Sequence, residues 1–90
     1  MTVWIREQIL GKRWGTPFNS IIEARKTAIK LLESGKLGNQ GSVPIYKTQW
    51  GKALASNVWI DKHGGYAETV YSKEYGVVYH ALYKNGKIKR

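Results

Sequence analysis

Few residues in this 90-residue chain are equipped for acid–base or metal chemistry. There are two histidines, His63 and His80, a single aspartate, Asp61, and no cysteine. Without a thiol, disulfides, thiolate zinc sites and a cysteine nucleophile are excluded. Asp61-x-His63 is the one pairing with suggestive spacing. In extended backbone, residues two apart project to the same side, so the carboxylate could orient the imidazole or share a metal with it. A zinc site takes three or four ligands, however, and Asp61 followed by Gly64-Gly65 reads as an aspartate opening a turn that the glycines complete. The turn is the expectation adopted here. His80 stands between Tyr79 and Ala81 in an apolar segment and reads as a half-buried structural histidine, with Glu68 as candidate partner. Gly64-Gly65 precedes no helix that would offer free N–H groups to a phosphate, and the glycine patterns of nucleotide-binding loops are absent. The expectation is a non-enzymatic protein that needs no metal and no cofactor.

The second chemistry on offer is attraction to polyanions. Fifteen Lys and Arg face six Asp and Glu, a net charge of +9. Such an excess favours nucleic acid, anionic lipid or an acidic protein as partner. Most of the cations are lysines, hydrated point charges better suited to diffuse attraction than to bidentate reading of base edges. Two clusters combine charge with aromatic rings: Lys12, Arg13 and Trp14, then Lys84, Lys87, Lys89 and Arg90, preceded by Tyr79 and Tyr83. Cations neutralise phosphates and rings stack on unpaired bases. These seven residues, Lys12, Arg13, Trp14, Lys84, Lys87, Lys89 and Arg90, are the candidate nucleic-acid contacts, with DNA or RNA bound electrostatically and without sequence specificity. The competing expectation is a protein-interaction or accessory domain, binding another chain or a second copy of itself through an aromatic surface or a strand edge.

The elements that must position these residues are legible from periodicity. Residues 2–10 alternate as a strand, with Val3, Ile5 and Ile9 on one face and Trp4, Arg6 and Gln8 on the other. Residues 11–17 read as a loop from their Gly and Pro content. Ser20 and Glu23 form a capping box that opens a helix over about 20–34, the Ser20 hydroxyl accepting from the Glu23 amide; Gly35 ends it in a left-handed conformation. Ile21, Ile22, Ala24, Ala28, Ile29, Leu31 and Leu32 share one half of the wheel. Arg25 falls inside that apolar arc. The favoured account is a stem lying along the core edge with its guanidinium in water; the alternative is a pair with Glu7 or Glu68.

Residues 35–42 read as a flexible connection, followed by strands near 43–49, 52–60, 66–72 and 76–84. Asn85-Gly86 is the dipeptide of a type I′ turn, so residues 85–90 form either a short final strand or a basic tail. The result is a two-layer α+β domain spanning 1–90, one amphipathic helix on a mainly antiparallel sheet, in the order β-α-β-β-β-β. Which sheet face meets the helix stays open, because both faces carry apolar and aromatic residues and neither is plainly polar. More aromatic surface is expected than one helix can cover. The double-stranded RNA-binding domain, α-β-β-β-α, has a different order, and the aromatic signatures of the RRM are missing. The first ten residues, MTVWIREQIL, carry Arg6 and Glu7 inside the apolar stretch, unlike a signal peptide. No run reaches the ~20 apolar residues of a membrane span. A cytoplasmic protein without a membrane partner is expected.

Overall fold

Ser20 adopts an extended backbone and its hydroxyl accepts from the Ile22 amide, which starts α1 at Ile21–Ser34. The cap is made one residue earlier than the expected bond to Glu23; the Glu23 carboxylate accepts instead from Lys26. Gly35 closes the helix at φ +71°, as its position demands. In this computed structural model, which describes residues 2–11, 14–72 and 74–89, the described residues form one further short 3-10 turn and six strands. The strands are β1 Val3–Ile5, β2 Thr16–Phe18, β3 Ser42–Tyr46, β4 Leu54–Ile60, β5 Tyr66–Ser72 and β6 Gly76–Leu82. They make one antiparallel sheet in the order β2-β1-β3-β4-β5-β6, with α1 packed on one face. The two-layer α+β architecture is thus the one periodicity implies.

Several boundaries differ. The first strand ends at Ile5, and Gln8–Leu10 turn as a 3-10 helix that leaves Ile9 exposed. Thr16–Phe18, inside the expected loop, is a strand: Pro17 sits opposite Trp4 on the sheet's outer edge, where a missing N–H costs nothing. β3 stops at Tyr46, and its pairing with β4 shifts register between Ile45 and Tyr46.

The core lies between α1 and the inner face of β1 to β4. Ala24, Ala28, Ile29, Leu31 and Leu32 meet Val3, Ile5, Val43, Ile45 and Val58. Each large side chain removed from water there contributes about 1.5–3 kcal/mol. The helix does not extend over β6. That end is closed by the C-terminal turn, where the Tyr83 amide donates to the Lys87 carbonyl and Ile88 bridges back to Leu82. Gly86 is left-handed, at φ +85°, while no residue other than glycine has positive φ among those described. The turn is therefore a three-residue loop with a left-handed glycine rather than the two-residue type I′ turn, which needs positive φ at both central positions. Its backbone presses on the helix.

Arg25 is the main correction inside the core. Its Nε donates to Glu68 Oε2 at 2.6 Å and its Nη2 to Oε1 at 2.9 Å, with Glu68 fully buried. The guanidinium does not reach for water. Glu68 stands on the inner face of β5, and a bidentate fork on a carboxylate is the geometry that best offsets desolvation of both charges. Among the described residues no helix is long and apolar enough to cross a membrane.

Candidate functional site

Pairing registers divide the sheet's side chains. Ser56 and Val58 of β4 and Glu68 of β5 project toward the helix, and the residues between them project away. On the open face two rows cross β4, β5 and β6: Trp59, Ala67 and Ala81, then Asn57, Thr69 and Tyr79. Tyr71 and Val77 make the next row on β5 and β6. Tyr79 is 68% exposed, and Tyr71 and Val77 are also open to solvent. The Trp59 indole N–H donates to Thr69 Oγ1 at 2.9 Å, which fixes the ring diagonally across β5. Asn57 Oδ1, in the same row as Thr69, is buried and takes no hydrogen bond among the described residues. No carboxylate stands on the open face of a described strand.

The Trp59 end of this face deepens into a groove of about 400 Å³. Ala67 and Ala81 form its floor, Trp59 and Tyr79 border it, and Asp61, Lys62 and His63 rise from the β4–β5 turn. Asp61 Oδ1 accepts from the amides of His63 at 2.8 Å and Gly65 at 2.9 Å. The amide of His63 holds the Asp61 carboxyl below the ordinary carboxylate range; desolvation opposes it, and the Gly65 amide adds a weaker downward pull. Asp61 is thus the turn-forming aspartate that its sequence context implies. No group of three or more potential ligands able to hold a metal ion occurs among the described residues. His80 faces Glu68 in register, but both Glu68 oxygens are taken by Arg25.

At the other end of the sheet, Arg6 lies over the Tyr46 ring, 3.7 Å from its centroid, and donates to the carbonyls of Thr48 and Gly51. Trp14 meets Trp50 edge to face at 5.3 Å, and its carbonyl accepts from Gln49. These bonds hold the β3–β4 loop beside the strand-β1 end of the sheet.

The candidate contacts named from sequence are spread over this frame. Trp14 belongs to the β1 end, while Lys84, Lys87 and Lys89 belong to the turn beyond β6, the opposite edge. Lys84 is bonded to Glu33 of the helix at 3.2 Å. Lys87 is exposed on the turn, and Lys89 stands over the Tyr83 ring at 5.3 Å. Lys12, Arg13 and Arg90 lie outside the described residues. The structure brings Lys89 close enough to Asp61 for their charges to interact. It does not bring Trp14 to the C-terminal cluster. The residues that sequence reasoning did not select, Trp59, Ala67, Thr69 and Ala81, become a group only through strand register; the period-two alternation of 52–60 and 76–84 was the available signal. No family model matches the chain, and no curated protein and no solved structure matches it either, so residues and geometry alone carry the functional reading.

Proposed function

We propose that this chain is a small, non-enzymatic binding module whose open sheet face takes single-stranded nucleic acid. One observation carries the reading: in a chain of net charge +9, the sheet face left uncovered by the helix is lined with aromatic rings and bears no carboxylate on its described strands. Exposed rings stack on unpaired bases, whereas the bases of a duplex are already stacked on one another. Arg6 is occupied by Tyr46 and loop carbonyls, whereas Lys62, beside the groove, and Lys87 and Lys89, beyond β6, are exposed cations that can meet phosphates. The test is fluorescence anisotropy with labelled single strands of about twelve nucleotides, inside the ~4–16 range typical of single-domain binders. In about 50 mM salt, where the Debye length exceeds about 10 Å, the chain should bind single strands more tightly than duplex. Trp59→Ala with Tyr79→Ala should weaken binding by about 1–3 kcal/mol per stacked base. Absence of binding under those conditions overturns the reading.

The second reading, a protein-interaction domain, draws on the outer edge of β6. The C-terminal turn pairs with its Leu82 end only, and Gly76 to His80 have no strand on their outer side among the described residues. Such an edge can accept another strand. A mass that rises with concentration in light scattering, without oligonucleotide binding, would favour this reading.

A further inference from the structure

Four features of the groove bear on what it holds. Its floor is two alanines at adjacent positions of one cross-strand row, Ala67 and Ala81. From Trp59 to Ala81 is two strand spacings, about 10 Å, room for a flat ring beside the indole. The indole is held in place by Thr69, so stacking on it costs little further side-chain entropy. Finally, among the described residues the one carboxylate at the rim is Asp61, whose Oδ1 is committed to its own turn and whose Oδ2 takes no hydrogen bond from them. Lys62 lines the same rim.

We propose that this groove is a base-selective slot that takes one unpaired nucleobase against Trp59 and Tyr79, favouring bases with an exocyclic amino group over uracil and thymine. The inference rests on the single-strand reading above. A carboxylate is an acceptor only. Guanine offers it two adjacent donors, and adenine and cytosine each offer an amino group. The single imino N–H of uracil or thymine is flanked by two carbonyl oxygens that the carboxylate repels. The wide, open groove admits purine and pyrimidine alike, so selection falls on polar edges rather than on ring size. Lys62 is placed to meet the phosphate of the seated nucleotide, which aligns the charge of the ligand with that of the protein.

The experiment pairs two probes. The 5′-monophosphates of guanosine, adenosine, cytidine and uridine are titrated while the indole N–H resonance of Trp59 is followed by NMR, assigned by its loss in Trp59→Phe. In parallel, all-thymine single strands are compared with the same strands carrying a central cytosine or adenine. The amino-bearing bases should bind about tenfold better, the factor one charge-assisted hydrogen bond supplies, and should shift the Trp59 resonance. Asp61→Asn keeps an oxygen for the His63 and Gly65 amides but exchanges the outer acceptor for an N–H donor. It should lower the melting temperature only modestly, by the strength the two amide bonds lose when their acceptor is no longer charged, keep the fold, and erase or invert the preference. Ala81→Leu, at an exposed position, fills the floor and should abolish the Trp59 shift while electrostatic strand binding persists. Strand binding with no base preference, or a preference that survives Asp61→Asn, overturns the slot and leaves the single-strand reading standing. Selective mononucleotide binding without strand binding keeps the slot and overturns the strand reading. Absence of both overturns both.

Discussion

At the scale of single residues, the Arg25–Glu68 pair is the costliest feature of the core, because each charge is tolerable only in the presence of the other. Arg25→Met alone leaves Glu68 buried without a counter-charge and should cost about 3–5 kcal/mol. Arg25→Met with Glu68→Leu replaces both charges by apolar groups of similar volume and should restore most of that stability or exceed the parent. Urea midpoints for the two single variants and the double close the cycle. Additive single effects would mean that the two side chains are not coupled. The position of Arg25 inside the apolar arc was visible in the sequence, and Glu68 was one of two candidate partners there. Choosing between Glu68, Glu7 and open water required knowing that β5 lies next to β4 with Glu68 on the sheet face that meets the helix, within reach of Arg25. Glu7 instead accepts from Gln40.

At the scale of elements, the C-terminal turn works as a clasp between sheet and helix. A Cβ added at Gly86 would lie 2.6 Å from the Ile22 carbonyl oxygen and 3.3 Å from the Lys26 amide, both backbone atoms that cannot swing aside. Gly35 offers an internal control: it too has positive φ, at +71°, but nothing stands within 4 Å of its added Cβ. Gly35→Ala should therefore cost only the conformational penalty of about 1–2 kcal/mol. Gly86→Ala should cost that penalty plus about 1–3 kcal/mol for overpacking. Equal melting temperatures for the two variants would show that the turn is not seated on the helix. The Asn85-Gly86 dipeptide announced a turn, but not the contact that makes glycine obligatory. That contact joins residues 86 and 22, which no local pattern relates.

At the scale of the whole molecule, charge and shape separate into testable contributions. If three or four phosphates are engaged, log K should fall against log salt with a slope of roughly −2 to −3 for single strands. Replacing the exposed Lys62, Lys87 and Lys89 by Gln should flatten that slope by up to about 2 and weaken all sequences alike. The aromatic variants should lower affinity while leaving the slope in place. Lys84 is kept in this series because it is tied to Glu33, and cutting the chain after Tyr83 would remove the Gly86 clasp along with the charge. An unchanged slope in the triple variant would assign the phosphate contacts to other cations.

The sequence by itself determined the helix, its capping residue, its stop and most of its buried stripe, because these depend on residues within a few positions of one another; the capping bond goes to the Ile22 amide instead of that of Glu23, and Ile22 itself is exposed. It also determined the alternation of the later strands and the excess of positive charge. The three-residue strand at Thr16–Phe18 was not legible, since a run that short carries no period and its Pro17 reads as a loop signal until the strand is known to be an outer edge. The assignment of sheet faces was likewise undecided, because both faces of β4 and β6 carry apolar side chains and only packing against α1 selects one. Tertiary structure alone decided that Trp59, Ala67, Tyr79 and Ala81 face one way as a group. Register between strands is set by pairing across the chain and by the buried inner face, and a groove made of three strands exists only once that pairing has formed.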